Sequence, residues 1–257
     1  MTMTMIQLTI IRIEGYGPWT VTLGSDREAQ LQMLQARIYH DVQRLFSERD
    51  CIVYFNRFDE YFAVTNGLDA AGHAQIQKEL ALLYPDLKMS MAIGTGSTAF
   101  EASTDAYRAR KEARLADSDG GGAELFGMSR AAADAAQIMH IDVDSSTKVG
   151  DRLSPYEVTA LVVKIYSRLA EEFLMLNSLT FFLGGDNFMV LSNGVTKEQA
   201  DQVIKKVTAG IDIRLNCGIG IGRNGRRAAE AATKALDTIR DLRKEGKIQP
   251  IYEIRCP

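Results

Sequence analysis

The stretch 57-RFDEYFAVTNG-67 returns later in the chain as 184-GGDNFMVLSNG-194. Asp59 falls on Asp186 and the closing Asn66-Gly67 falls on Asn193-Gly194, an offset of 127 residues. Two further pairs keep the same order. 92-AIGTG-96 matches 218-GIGIG-222 at an offset of 126, and 10-IIRIEGYG-17 matches 138-IMHIDVDS-145 at 128. Three matches in one order, at nearly one spacing, mark an internal duplication in which one supersecondary module was copied whole.

Each copy reads β-α-β-β-α-β. In the first, the β-branched alternation 6-IQLTIIRI-13 predicts a strand. A helix follows over 26–48 with Asp26 as its cap, then strands 51–55 and 61–66 around the turn 56–60. A helix over 69–85, a strand over 87–94 and an alanine-rich helix over 98–116 close the copy. The second has a strand over 137–144, a helix over 154–176 and a hairpin over 179–193. A helix over 196–210, a strand over 211–220, a helix over 226–246 and a short extra strand over 250–254 complete it. This order predicts an α/β (α+β) chain of two tandem ferredoxin-like βαββαβ units with antiparallel sheets. Helices are expected on one face of each sheet, leaving the other open for the second copy or another subunit. The units are placed at 1–120 and 137–257. The segment 121–136 links them, beginning in the glycine-rich 117-DSDGGG-122 and ending in a short helix near 130–137.

The 257 residues are 46% hydrophobic and 25% charged, which excludes wholesale disorder. No apolar run approaches a membrane span, and the amino-terminal stretch reads as a strand rather than a leader, so cytoplasm is the expectation. The three cysteines at 51, 217 and 256 suggest neither a disulfide framework nor a thiolate metal cluster. A net charge of −3 argues against a nonspecific nucleic-acid binder.

Side chains two apart share a strand face, so His140, Asp142 and Asp144 lie together. Asp186 sits in the hairpin turn beside that strand, and Asp142 and Asp186 can converge. Paired carboxylates at a strand end suit a hard cation such as Mg²⁺ carrying substrate phosphates, and two such ions can clamp a phosphoryl transfer. Gly-Gly-Asp-Asn is also good turn sequence. Asp142 is the stronger signal, because an Asp inside an apolar alternation needs a partner or a cation if it is buried. The first copy keeps Asp59, sets Glu14 against Asp142 and Tyr16 against Asp144, and offers either a second cation site or a recognition site. Its Asn56-Arg57 reads as a ligand-reading pair or a salt-bridged turn.

The Gly-rich pieces 94-GTG-96 and 220-GIG-222 precede helices and allow either an anion site or close backbone packing, without full P-loop or Rossmann spacing. In 145-SSTKVG-150, free N–H groups, Ser146 and Lys148 could cradle a triphosphate. Arg223, Arg226, Arg227, Lys234 and Arg240 cluster at the last helix, and Arg240 could reach a phosphate. His40 and His73 read as solvated or packed helix residues, which leaves His140 as the histidine to test. No Ser-His-Asp or Cys-His nucleophile can be drawn from spacing.

The second copy resembles the palm domain of nucleotidyl cyclases. 184-GGDNF-188 is similar to the GGDEF signature of diguanylate cyclases, 142-DVDSSTK-148 to their metal strand, and 232-ATKALDTIRDLRKEGK-247 to their closing helix. Over nearly the whole chain, 15-GYGPWTVT-22, 57-RFDEYFAVTNG-67, 139-MHIDVD-144 and 182-FLGGDNFMVLSNG-194 resemble the archaeal-type GTP cyclohydrolase III family. That resemblance implies ring opening of GTP with the formyl group retained and two phosphates released. It implies palm-type units, Mg²⁺ (or Mn²⁺) as the metal, K⁺ as activator, and a homo-oligomer (dimer or tetramer). Carried onto this chain, Asp142, the Val143 carbonyl, Asp186 and Asp144 become metal ligands. His140, Asp144 and Asp186 become candidate catalytic groups, with His140 or a water as proton donor to the leaving nitrogen. Asn56, Arg57, Asp59, Asn187, Ser146, Lys148 and Arg240 become nucleotide contacts. A diguanylate-type cyclase and an inactive GTP-binding regulator are the rival readings.

Overall fold

The computed structural model describes residues 5–116, 124–129, 135–144 and 153–256. The chain divides into two compact units, one holding Ile6–Gly96 and the described residues of Ala102–Ala133, the other Met5, Ser97–Glu101 and the described residues from Ala135 on. The first runs β1 (Ile6–Ile13), α1 (Tyr16–Thr22), α2 (Glu28–Ser47), β2 (Ile52–Arg57), β3 (Glu60–Val64), α3 (Ala70–Leu83), β4 (Met89–Gly96), α4 (Ala99–Ala116) and β5 (Leu125–Phe126). The second runs β6 (Ala136–Val143), α5 (Pro155–Leu174), β7 (Leu179–Gly184), β8 (Asn187–Leu191), α6 (Lys197–Thr208), β9 (Leu215–Gly222), α7 (Gly225–Lys244) and β10 (Ile251–Arg255). The sheets are ordered β2-β3-β1-β4-β5 and β7-β8-β6-β9-β10, so the duplication holds at the level of topology. In each, four strands are antiparallel and the fifth lies parallel to its neighbour, β5 on β4 and β10 on β9.

Alternation sets the core. On β6, Met139, Ile141 and Val143 point to one face and pack on Val162, Ile165, Leu169 and Phe173 of α5 and on Val203 and Val207 of α6. Part of the face expected to stand open is covered, where α7 lies over β9, β6 and β10. A Cβ on Gly220 would stand 2.1 Å from the Ala228 carbonyl oxygen and 2.2 Å from the Ala232 nitrogen, so α7 lies directly against β9. Gly94 is pressed in the same way by Ala102 and Ala106 of α4. The two glycine-rich strands are therefore helix-packing surfaces, and the Asn224 side chain caps α7 itself by accepting from the Arg227 N–H at 2.9 Å.

Several local expectations change. Asp26 does not cap α2, which begins at Glu28 after Arg27 with no side-chain cap bond. Tyr16–Thr22 forms α1, entered through Gly15 in the left-handed region at φ 62°. The strand expected over 211–220 starts only at Leu215, after a turn in which the Ile211 N–H donates to the Thr208 carbonyl. The helix expected over 130–137 lies mostly outside the described residues, and positions 136 and 137 belong to β6. Among the described residues, no helix is long and apolar enough to cross a membrane.

The strand registers redraw the repeat. Arg12 stands opposite Glu60 and Ser90, whereas Asp142 stands opposite Asn187 and Asn216. Glu60 and Asn187 each follow the matched Asp of their hairpins, so Arg12 occupies the position of Asp142, and Glu14 that of Asp144. The first strands match at an offset of 130, not 128. A slip of two keeps every side chain on its own face, so periodicity could not detect it.

His73 is fully buried. The Asp69 carbonyl, an acceptor only, takes the proton of Nδ1 at 2.7 Å, and Nε2 accepts from the Thr9 hydroxyl at 2.8 Å. Burial holds its pKa below the ordinary 6.5, outweighing the opposing pull of Asp69. The unfolded chain therefore binds a proton first as pH falls through 6.5, and stability drops until the folded pKa is reached. Urea midpoints at about pH 7.5 and about pH 5.5 should fall further for the wild type than for His73→Asn. Equal losses would remove His73 as the source.

Candidate active site at the end of β6

The apolar alternation of β6 ends in Asp142, Val143 and Asp144, with both carboxylates on the α7 side. Asp142 is only 5% exposed. Its Oδ1 accepts from Asn216 Nδ2 at 3.0 Å and its Oδ2 from Arg240 Nη2 at 2.7 Å. The hydrogen bond to Asp142 raises the Arg240 pKa further. Asp144 is ion-paired with Arg243, one helical turn beyond Arg240.

The hairpin turn arrives at the same end of the sheet, because Asn187 pairs with Asp142 across β8 and β6. Gly184 and Gly185 take positive φ of 102° and 61°, a conformation that favours glycine and so accounts for the Gly-Gly of the motif. Asp186 follows, half-buried, and its Oδ1 accepts from Asn187 Nδ2 at 2.9 Å. His140 bridges Asn187 Oδ1 through Nε2 at 3.0 Å and Thr233 Oγ1 through Nδ1 at 3.2 Å. Burial lowers its pKa, although the Asn187 bond and the Asp142 charge pull the other way. Both nitrogens are engaged, so in this arrangement the ring is a fixed link rather than a free acid.

The structure thus gathers His140, Asp142, Asp144, Asp186, Asn187 and Arg240 in one unit. Ser146 and Lys148 lie outside the described residues. Asn216, Thr233 and Arg243 join the cluster without having been singled out from sequence. Arg243 carried a signal, three residues after Arg240 on the same helix face. Arg227 instead pairs with Glu230 at 2.9 Å.

The corresponding place in the first unit has reversed its charge. Arg12 stands where Asp142 does and lies 3.4 Å from Glu60 and 3.9 Å from Asp59. Arg57 lies 3.1 Å from Glu60 and 3.5 Å from Asp59, and Asn56 donates to Glu60 at 2.9 Å. Asn56 and Arg57 thus stand in a salt-bridged turn, with Arg57 exposed. Glu14 is bonded by Ser90 and paired with Arg110 and Arg114. Burial alone would raise its pKa, but those partners outweigh it and hold the carboxyl below its ordinary range. An arginine thus stands in the first unit where the second has Asp142.

Cys51 and Cys217 are both buried, and burial pushes the Cys51 thiol up to about 12 and Cys217 upward as well, so neither is a ready nucleophile. Among the described residues, no three His, Cys, Asp or Glu side chains stand together as a ready-made metal cage. The donor chemistry of Asp142, Asp144 and Asp186 nevertheless fits a hard cation, which takes carboxylate and carbonyl oxygens alongside substrate phosphates. Arg240 and Arg243 supply positive charge to the first two.

Known proteins share this chain's pattern across its length. A GTP cyclohydrolase III of Methanosphaera stadtmanae is 37% identical over 246 residues, covering 92% of this chain and 93% of that protein. One from Methanocaldococcus jannaschii is 38% identical over 238 residues, covering 92% and 88%. Among solved structures, the GGDEF domain of DgcB from Caulobacter crescentus overlaps 58% of this chain and 88% of its own, at 12% identity and a TM-score of 0.38. The family model described as GTP cyclohydrolase III matches residues 5–251, and with relatives this similar over nine-tenths of the chain, the protein belongs to that family.

Proposed function

We propose that this protein is a GTP cyclohydrolase that opens the imidazole ring of guanine, keeps C8 as a formyl group and releases two phosphates. Its product is 2-amino-5-formylamino-6-(5-phosphoribosylamino)pyrimidin-4(3H)-one. The observation that carries the reading is the family match over residues 5–251. The cluster at the end of β6 supports it with chemistry of the right kind. Water adds to C8, the C8–N9 bond breaks, N7 keeps the formyl carbon, and N9 takes a proton from solvent.

Asp142, Asp144, Asp186 and the Val143 carbonyl hold Mg²⁺, with Mn²⁺ as substitute and K⁺ as activator. When bound, such an ion neutralises phosphate charge and lowers the pKa of a coordinated water. Arg240, whose side chain is 42% exposed, is long enough to exchange its bond to Asp142 for one to phosphate. Asn187 presents its amide at the same edge, and Ser146 and Lys148 act on the triphosphate. Asn56, Arg57 and Asp59, in a turn with Glu60 and beside Arg12, supply further nucleotide contacts. Each unit is a ferredoxin-like, palm-type module, a reading that the strand order supports. The working form is a cytoplasmic homo-oligomer, a dimer or tetramer, that does not bind nucleic acid.

The test is incubation with GTP, Mg²⁺ and K⁺, following the ultraviolet spectrum, phosphate and product mass. Loss of the purine absorbance, two phosphates per nucleotide and a product keeping C8 and one ribose phosphate are expected. ATP should be a poor substrate, because a site built for the guanine edge leaves polar groups unpaired against adenine. Pyrophosphate with a cyclic or dimeric nucleotide would establish a cyclase instead. Phosphate with an unchanged guanine chromophore would reduce the protein to a GTPase.

A further inference from the structure

We propose that Thr233 and His140 are positioning residues that act through Asn187 to fix the Asp186 carboxylate, an inference that rests on the reading of Asp186 as a cation ligand. The argument runs from acceptors to donors. An ionised carboxylate only accepts hydrogen bonds. Asn187, 2.9 Å from Asp186 Oδ1, must therefore turn its NH₂ toward it. Its carbonyl oxygen then faces His140 Nε2 at 3.0 Å, and that oxygen also only accepts. The proton on that side of the ring is thereby assigned to Nε2, and a ring with this one proton accepts at Nδ1 from the Thr233 hydroxyl at 3.2 Å. Every link donates in one direction, from α7 through β6 and β8 to the turn.

The turn needs such a brace. A Cβ on Gly184 would meet nothing within 4 Å, and one on Gly185 would meet only the Asn187 amide, at 3.9 Å. The backbone at this corner is held by little packing, while α7, β6 and β8 are regular elements. The chain of bonds transfers their order to a carboxylate at the end of a glycine turn. Reversing any one link would set two donors or two acceptors against each other, so the tautomer of His140 and the amide orientation of Asn187 are fixed together.

Thr233 is exposed on α7 and uncharged, so replacing its hydroxyl leaves folding intact. Thr233→Val removes the donor at constant shape, and Thr233→Ser restores it. The probe is Mn²⁺ alone, titrated into the full chain and read by electron paramagnetic resonance. Affinity should fall about three- to tenfold in Thr233→Val, the scale of one hydrogen bond, and return in Thr233→Ser. In a His140→Ala background, Thr233→Val should add nothing further, since the two act in series. ¹⁵N spectra of the imidazole should show the Nε2–H tautomer in the wild type and a mixture in Thr233→Val. Unchanged Mn²⁺ affinity in Asp186→Ala would overturn the cation reading itself. A weakened Asp186→Ala beside an unchanged Thr233→Val, or an Nδ1–H tautomer in the wild type, would overturn the chain of bonds alone.

Discussion

Replacing Asp186 with Ala should lower phosphate release from GTP by about a thousandfold, which at 1.36 kcal/mol per decade is about 4 kcal/mol of transition-state stabilisation. That is the scale expected when phosphoryl charge loses its bound cation. The substitution is clean because Asp186 is half-buried in a turn and its one side-chain bond here is to the neighbouring Asn187 amide. Circular dichroism and the melting temperature should stay close to wild type. Asp142→Ala should stop turnover as well, but not cleanly. Asp142 is buried beside Asn216, and its removal strands that buried amide, whereas Arg240 keeps Asp237 at 2.8 Å. Leaving a buried donor without an acceptor costs about 1–3 kcal/mol, so that variant should also melt earlier. Near-normal phosphate release from Asp186→Ala would remove the cation assignment.

The duplication and the element order were legible because strand and helix periods differ and the matched hairpins keep Asp and Asn-Gly in place. Asp142 was legible for a physical reason: a carboxylate in an apolar alternation needs a partner, and Arg240 and Asn216 are what it has. The pairing of first strands was not legible. Setting Glu14 against Asp142 matched acid to acid, while the true counterpart, Arg12, carries the opposite charge and sits on the same face. Only the partners across the sheet distinguish the two alignments. The covering of part of the second face by α7 was also missed. Alternate glycines were read as a choice between anion site and close packing, whereas the distances between β9 and α7 decide for packing. The partners of His140 come from β8 and α7, far apart in sequence, and no local pattern announces them.

A single methyl group added to β9 should unseat α7. Gly220→Ala places a Cβ about 2 Å from the backbone of α7, at Ala228 and Ala232, where no side chain can rotate away. Real contacts of that kind stay beyond about 3 Å, so the helix must move outward by about 1 Å, which opens the packing of a close-packed layer. Overpacking of this severity costs about 3 kcal/mol. For a chain of this length, that lowers the melting temperature by about 6–12 °C. The helix that moves carries Thr233, Arg240 and Arg243, so turnover should fall together with stability even though Gly220 touches no substrate. Melting curves and GTP turnover of Gly220→Ala, measured beside the wild type, check both effects. A Gly220→Ala protein that melts and turns over like the wild type would mean that α7 does not rest on the bare backbone of β9.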